Sequence, residues 1–172
     1  MSSTETVLHH LVGKRFVGCA PGGTRVMIDG ESSHKTGMGP MQLVLNAVAA
    51  CAAYDVVEML RKRKLTIRAY RVEVVGERRD GTPSPLVKVL TRHVLDVPGL
   101  DQRTADRFVE LAVTKYCSVA SSLNAEQLYE AVLETSDSSP PDEGAEGFSD
   151  ADAAAAAAGP VGPPTEESTA DG

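Results

Sequence analysis

The sequence predicts an α+β fold in which antiparallel strands pack around one long central helix and a shorter second one. Three stretches carry that expectation. After Pro40, the run from Gly39 to Lys64 (GPMQLVLNAVAACAAYDVVEMLRKRK) has no further Pro or Gly and is dominated by good helix formers. From Thr66 to Arg79, apolar and polar side chains alternate with the two-residue period of a strand. Asp101 then stands as an N-cap before a second apolar-periodic run ending near Lys115.

Taken in order, residues 6–29 read as strands. Val7, Leu8, Leu11, Val12, Phe16 and Val17 form the first, a turn at Ala20 to Gly23 follows, and Thr24 to Ile28 forms its hairpin partner. The polar, glycine-rich segment 30–39 is a loop feeding the central helix. Pro40 suits the first helical turn, where a missing N–H costs nothing, and Arg61, Lys62, Arg63 and Lys64 complement the dipole at the other end. Val44, Val48, Val56 and Leu60 share one side of this helix, with Leu43, Ala47, Ala50, Tyr54 and Val57 beside them. Such a wide apolar circumference predicts an interior element.

In the strand that follows, Arg71, Glu73 and Glu77 mark a wet face, with Tyr70, Val72 and Val74 opposite. Asp80-Gly81-Thr82-Pro83 is a turn signal, so Leu86 to Val97 is the antiparallel partner. Phe108, Leu111, Ala112 and Val113 face inward from the second helix, Val119 to Leu123 forms a short helical piece capped by Ser118, and residues 127–134 close the fold as a strand. The order is ββ–α–ββ–α–(short α)–β, one domain over residues 1–135.

Composition changes at residue 136. The first 135 residues hold all 17 basic residues and 15 of the 24 acidic ones, a net +2, whereas residues 136–172 hold nine acidic residues and no basic ones. With its prolines, glycines and the alanine run at 153–158, this segment reads as a disordered acidic tail with at most a transient alanine helix. The near-neutral body gives no footprint of nucleic-acid binding. The first ten residues lack the basic and apolar regions of a signal peptide, and Asp55 and Glu58 interrupt the one run apolar enough to suggest a membrane span. With three cysteines and no leader, the expectation is a cytoplasmic protein with no membrane span, its thiols in a reducing compartment.

Chemistry points to Cys51, in the middle of the long helix, and Cys117, just after the second. Free cysteines are most often small buried hydrophobes, and spacing alone leaves that reading open beside a redox pair. Cys117 precedes a helical piece whose N–H groups would lower its pKa. Asp55, one turn after Cys51, would act in the opposite direction on that thiol. Cys19 adjoins a glycine-rich turn and has no role beyond that of a reactive surface thiol. The four histidines have no ligand spacing with the cysteines, so no metal and no cofactor is expected. Nucleotide loops and the GxSxG hydrolase elbow are absent from the sequence.

The stretches GPMQLVLNAVAAC with the following AAYDVVEML, and KYCSVASSL from Lys115 to Leu123, resemble the OsmC/Ohr family of thiol-dependent hydroperoxide reductases, and its YhfA-like branch most. The resemblance covers roughly residues 7–135. It implies an OsmC-like fold, an intertwined homodimer with the long helices at its centre, Cys51 as peroxidatic thiol and Cys117 as resolving thiol. Reduction of an organic hydroperoxide or related electrophile in an oxidative stress response, with an external dithiol as reductant, is the implied activity. The hydroperoxide reductases of the family carry a Glu ten residues before the first cysteine, where it holds an activating Arg. Here that position is Met41, and Arg15 and Arg25 are the candidates for the Arg. Without the pair, Cys51 is expected to be a slower nucleophile. The rival expectation is a dimeric small-molecule binder with structural cysteines.

Overall fold

The computed structural model describes residues 3–134. The expected acidic tail, 136–172, and its alanine run lie outside the described residues. Ten elements follow in order: β1 (Val7–Val12), β2 (Arg15–Cys19), β3 (Arg25–Asp29), α1 (Pro40–Lys62), β4 (Ala69–Arg78), β5 (Leu86–Asp96), α2 (Gln102–Leu111), a π-helical turn (Ala112–Tyr116), α3 (Ser118–Ser121) and β6 (Glu126–Leu133).

The N-terminal strands form a three-stranded antiparallel meander, β1-β2-β3, where the sequence suggested one hairpin. The extra turn falls at Gly13-Lys14, where Gly13 takes a positive φ of 56° that a side chain would resist. Asp29 is the latch between this sheet and the loop into α1. Its buried carboxylate accepts hydrogen bonds from the Glu31 and Thr36 backbone N–H groups, the Thr36 hydroxyl and Arg15 Nε. These donors, the two backbone N–H groups first, hold the Asp29 carboxyl well below the usual carboxylate range.

Helix α1 is the spine. Pro40 occupies its first turn, and Gln42 Oε1 accepts from the Gly39 N–H at 2.9 Å, which is half of a capping box. At the other end Lys64 N–H donates to Arg61 and Leu65 N–H to Leu60, with Lys64 at φ 58°: a Schellman motif whose left-handed position is not glycine. Leu65 packs against the apolar cluster that contains Leu60.

Beneath α1 lies the second sheet, with β5 at its centre. Strand β4 runs antiparallel to β5, as the alternation predicts, with Tyr70, Val72 and Val74 on its more buried side. Strand β6 corrects the expectation of a wholly antiparallel sheet: it lies parallel to β5, because the chain returns through α2, the π turn and α3 before pairing. The wet face is an ion-pair lattice. Arg71 grips Glu134 through two nitrogens at 2.8 and 2.9 Å, and Arg92 Nε meets Glu130 at 2.6 Å.

The core falls into two clusters along α1. Ala52, Val56 and Leu60 pack with Leu95, Val97, Phe108 and Val109 toward its C-terminal end, while Val48 packs with Leu86, Val89, Cys117 and Ala120 toward its N-terminal end. The predicted all-round burial of the helix is not met within one chain. Ala47, Ala50 and Tyr54 form an exposed stripe, Tyr54 being 74% accessible, and Val7, Leu8, Leu11 and Val12 on β1 are also exposed.

Candidate functional site

The two cysteines singled out from the sequence come together. Cys51 projects half-buried from the middle of α1 into the N-terminal apolar cluster, and Cys117 is a buried member of the same cluster at 3% accessibility. The Cys51 thiol is close enough to act on the ionisation of Cys117. Both cysteines are free.

A widened turn delivers Cys117. After α2, which starts at the Asp101 cap (Thr104 N–H to Asp101 Oδ1, 3.0 Å), the chain makes one π-helical turn, closed by Cys117 N–H donating to Ala112 at 2.9 Å. Cys117 then takes an extended conformation and becomes the N-cap of α3, its Sγ accepting from Ala120 N–H at 3.2 Å. The Cys117 Sγ also lies 3.8 Å from the Val48 carbonyl oxygen, a donor's contact into α1. Two expectations are corrected here. The cap is Cys117 itself, not Ser118, and the thiol is not acidified. Burial pushes the Cys117 thiol up and the Cys51 thiol adds to this, outweighing the Ala120 N–H that pulls it down. The backbone N–H groups of a four-residue helix do not overcome desolvation.

Of the arginines considered as activators, Arg15 is engaged in the N-terminal sheet, its Nε on Asp29 at 3.0 Å and its other nitrogen donating to the His34 carbonyl at 2.9 Å. Arg25 lies exposed at the start of β3. Cys19 sits on β2, lining a shallow depression with Val7 and His9 and sharing no cluster with the other two cysteines. Met41 lines a cleft of about 410 Å³ at the N-terminal end of α1, with Val44, Leu86 and Leu123, all four belonging to the cluster that holds the thiols. Among the described residues, no three His, Cys, Asp or Glu side chains converge as a metal site.

Sequence reading missed one buried polar pair. His93, fully buried on β5, receives Tyr70 from β4, with Tyr70 Oη 2.7 Å from Nδ1. Its Nε2 has no hydrogen-bond partner among the described residues. Burial lowers the His93 pKa to about 4. The neutral ring shares one hydrogen bond with the Tyr70 hydroxyl through Nδ1. The signal was in the alternation of β5, where His93 falls on the inward side with Val89, Thr91 and Leu95.

An α+β domain with a long helix over a mixed sheet, and two thiols meeting at that helix, defines a class of proteins. The family profile of OsmC-like proteins matches residues 31–129. The chain is 32% identical over 124 residues to the protein YhfA of Escherichia coli K12, covering 70% of this chain and 92% of that protein. An OsmC-like protein of unknown function from Vibrio cholerae superposes with a TM-score of 0.66 at 14% identity, over 77% of this chain and all of its own. An organic hydroperoxide resistance protein from Elizabethkingia anophelis superposes at 0.59 and 12% identity, over 78% and 98%. The chain belongs to the OsmC family, and its relative YhfA bears out the branch expected from the sequence.

Proposed function

We propose that the protein is a thiol-dependent reductase of organic hydroperoxides or related electrophiles, acting in oxidative stress defence as a homodimer. One observation carries the reading: Cys51 and Cys117 meet inside an apolar cluster that would exclude water and admit an apolar peroxide. The name of the Elizabethkingia neighbour, an organic hydroperoxide resistance protein, points the same way.

The chemistry divides into three steps. The Cys51 thiolate attacks the outer oxygen of ROOH; an S–O bond forms, the O–O bond breaks, and the alkoxide leaves to take a proton as ROH. Cys51 is now a sulfenic acid, oxidised by two electrons. The Cys117 thiol, having lost its proton, attacks that sulfur; the S–S bond forms and hydroxide leaves as water. An external dithiol then reopens the disulfide by exchange and is itself oxidised. The raised Cys117 pKa lowers the share of thiolate available for the second step at neutral pH.

Dimerisation is supported by the exposed apolar stripe of α1 and the exposed apolar side chains of β1, which no element among the described residues covers. The test is peroxide consumption with cumene hydroperoxide and a dithiol, followed by intact mass. The wild type should turn over and lose two hydrogens on oxidation, and Cys51→Ser should do neither. Wild-type thiols that stay reduced would instead favour the binding protein with structural cysteines.

A further inference from the structure

We infer that the depression between the C-terminal end of α1 and the first turns of α2 binds a dianionic phosphate group, free or carried by a small metabolite, and that Arg63, Arg103 and Arg107 read it. The site is separate from the thiols and does not depend on the redox reading above. Roughly 18 Å of helix lie between Cys51 and Arg63.

The depression, about 400 Å³, is lined by Arg63, Asp101, Arg103, Thr104, Arg107 and Phe108. Three arginines therefore meet one carboxylate, and that carboxylate is already occupied. Asp101 Oδ1 accepts from the Thr104 N–H at 3.0 Å, and Oδ2 accepts from the Thr104 hydroxyl at 2.8 Å. The Thr104 hydroxyl and then its N–H hold the Asp101 carboxyl below the ordinary range, and the Arg63 charge adds to them. Asp101 thus stays anionic and still leaves the depression with a surplus of positive charge. The start of α2 is closed by its own cap, so recognition falls to side chains from two elements.

Arg63 reaches the depression from α1. It is the C-cap of that helix, its N–H donating to the Leu60 carbonyl at 3.1 Å, and its guanidinium lies over the Phe108 ring of α2, 5.1 Å from the centroid. Arg103 and Arg107 stand one turn apart on α2. Arg107 Nη1 pairs with Glu110 at 2.8 Å and Arg61 with Glu58 at 3.3 Å, whereas Arg63 and Arg103 have no ion-pair partner among the described residues. Asp106, nearby on α2, is engaged by Gln102 Nε2 at 2.7 Å. Uncompensated guanidinium groups around one depression suit an anion that accepts from several directions. A phosphate monoester, with three terminal oxygens and nearly two charges, meets that demand better than a carboxylate. The one aromatic lining residue, Phe108, is buried under Arg63, so the body attached to the phosphate meets a polar rim.

The experiment is calorimetry on the full chain at slightly alkaline pH and low salt, with inorganic phosphate, glycerol phosphate and glycerol as probes. Both phosphates should bind and glycerol should not. An exposed charge pair is worth roughly fivefold in affinity, so Arg103→Gln, at an exposed position, should weaken phosphate binding by that factor, and Arg63→Gln likewise. Lys62→Gln changes charge at the same helix end but outside the depression, and should leave affinity unchanged. Binding of the ester should also weaken as pH falls through about 6, where it takes up a second proton. Tighter binding of glycerol phosphate than of inorganic phosphate assigns the site to a phosphorylated metabolite, and equal or weaker binding assigns it to free phosphate; both uphold the arginine site. No binding of either phosphate, an affinity unchanged in Arg103→Gln, or an equal loss in Lys62→Gln overturns it.

Discussion

The buried His93–Tyr70 pair makes stability depend on pH in a way that can be calculated. In the folded chain the His93 pKa falls to about 4, against an ordinary 6.5, because burial penalises the imidazolium. A depressed histidine favours the neutral ring when folded, so its contribution is fully present above 6.5 and is lost as pH falls from there toward 4. Between about pH 7 and about pH 4.5, linkage puts the loss at about 2 kcal/mol. The perturbation is His93→Gln, which removes the titration and keeps a hydrogen-bonding group opposite Tyr70. Urea unfolding at both pH values, at one fixed protein concentration, gives the pH-dependent loss for each protein. Carboxylates titrate alike in the two, so subtracting the variant's loss from the wild type's isolates His93. The wild type should lose about 2 kcal/mol more than the variant; parallel losses would refute the reasoning.

Other predictions test different links. Lys64 occupies the left-handed position of the Schellman motif, so Lys64→Gly should raise unfolding free energy by about 0.5–1 kcal/mol in chemical denaturation. Gly76 lies where α1 crosses β4; a Cβ there would fall 2.6 Å from a Leu86 methyl and 2.8 Å from a Leu45 methyl, so Gly76→Ala should cost about 1–3 kcal/mol by the same measurement. With the Cys117 thiol pushed above its ordinary value, disulfide closure after one equivalent of peroxide should accelerate nearly tenfold per pH unit from neutrality upward in stopped-flow experiments; a flat profile would show another step in control. Cys117→Ser should leave the first peroxide step intact and accumulate a Cys51 sulfenic acid, trapped by dimedone and seen as added mass.

Much of this was legible from residue patterns because the informative signals were local. Pro40, Asp101 and the alternation of β4 act over a few residues, and each marks an element the structure contains. The two thiols were legible by motif resemblance, whereas their meeting depends on the π turn, an insertion into helical geometry that no propensity marks. The sign of the Cys117 shift was misread because a cap is a local feature and desolvation is a tertiary one. The parallel pairing of β6 escaped for the same reason: strand direction is set by the route of the intervening helices, not by the strand's own side chains.

Cys117 carries two duties on one atom. Its sulfur closes the start of α3 by accepting from Ala120 N–H, and the same sulfur would form the bond to Cys51. Once it is drawn toward Cys51, that hydrogen bond weakens, and loss of an N-cap typically costs a helix about 1 kcal/mol. A four-residue helix has little else to hold it. Oxidation would therefore loosen α3 and the Leu123–Asn124 wall that follows it, so the cleft's shape would report whether the thiols are spent.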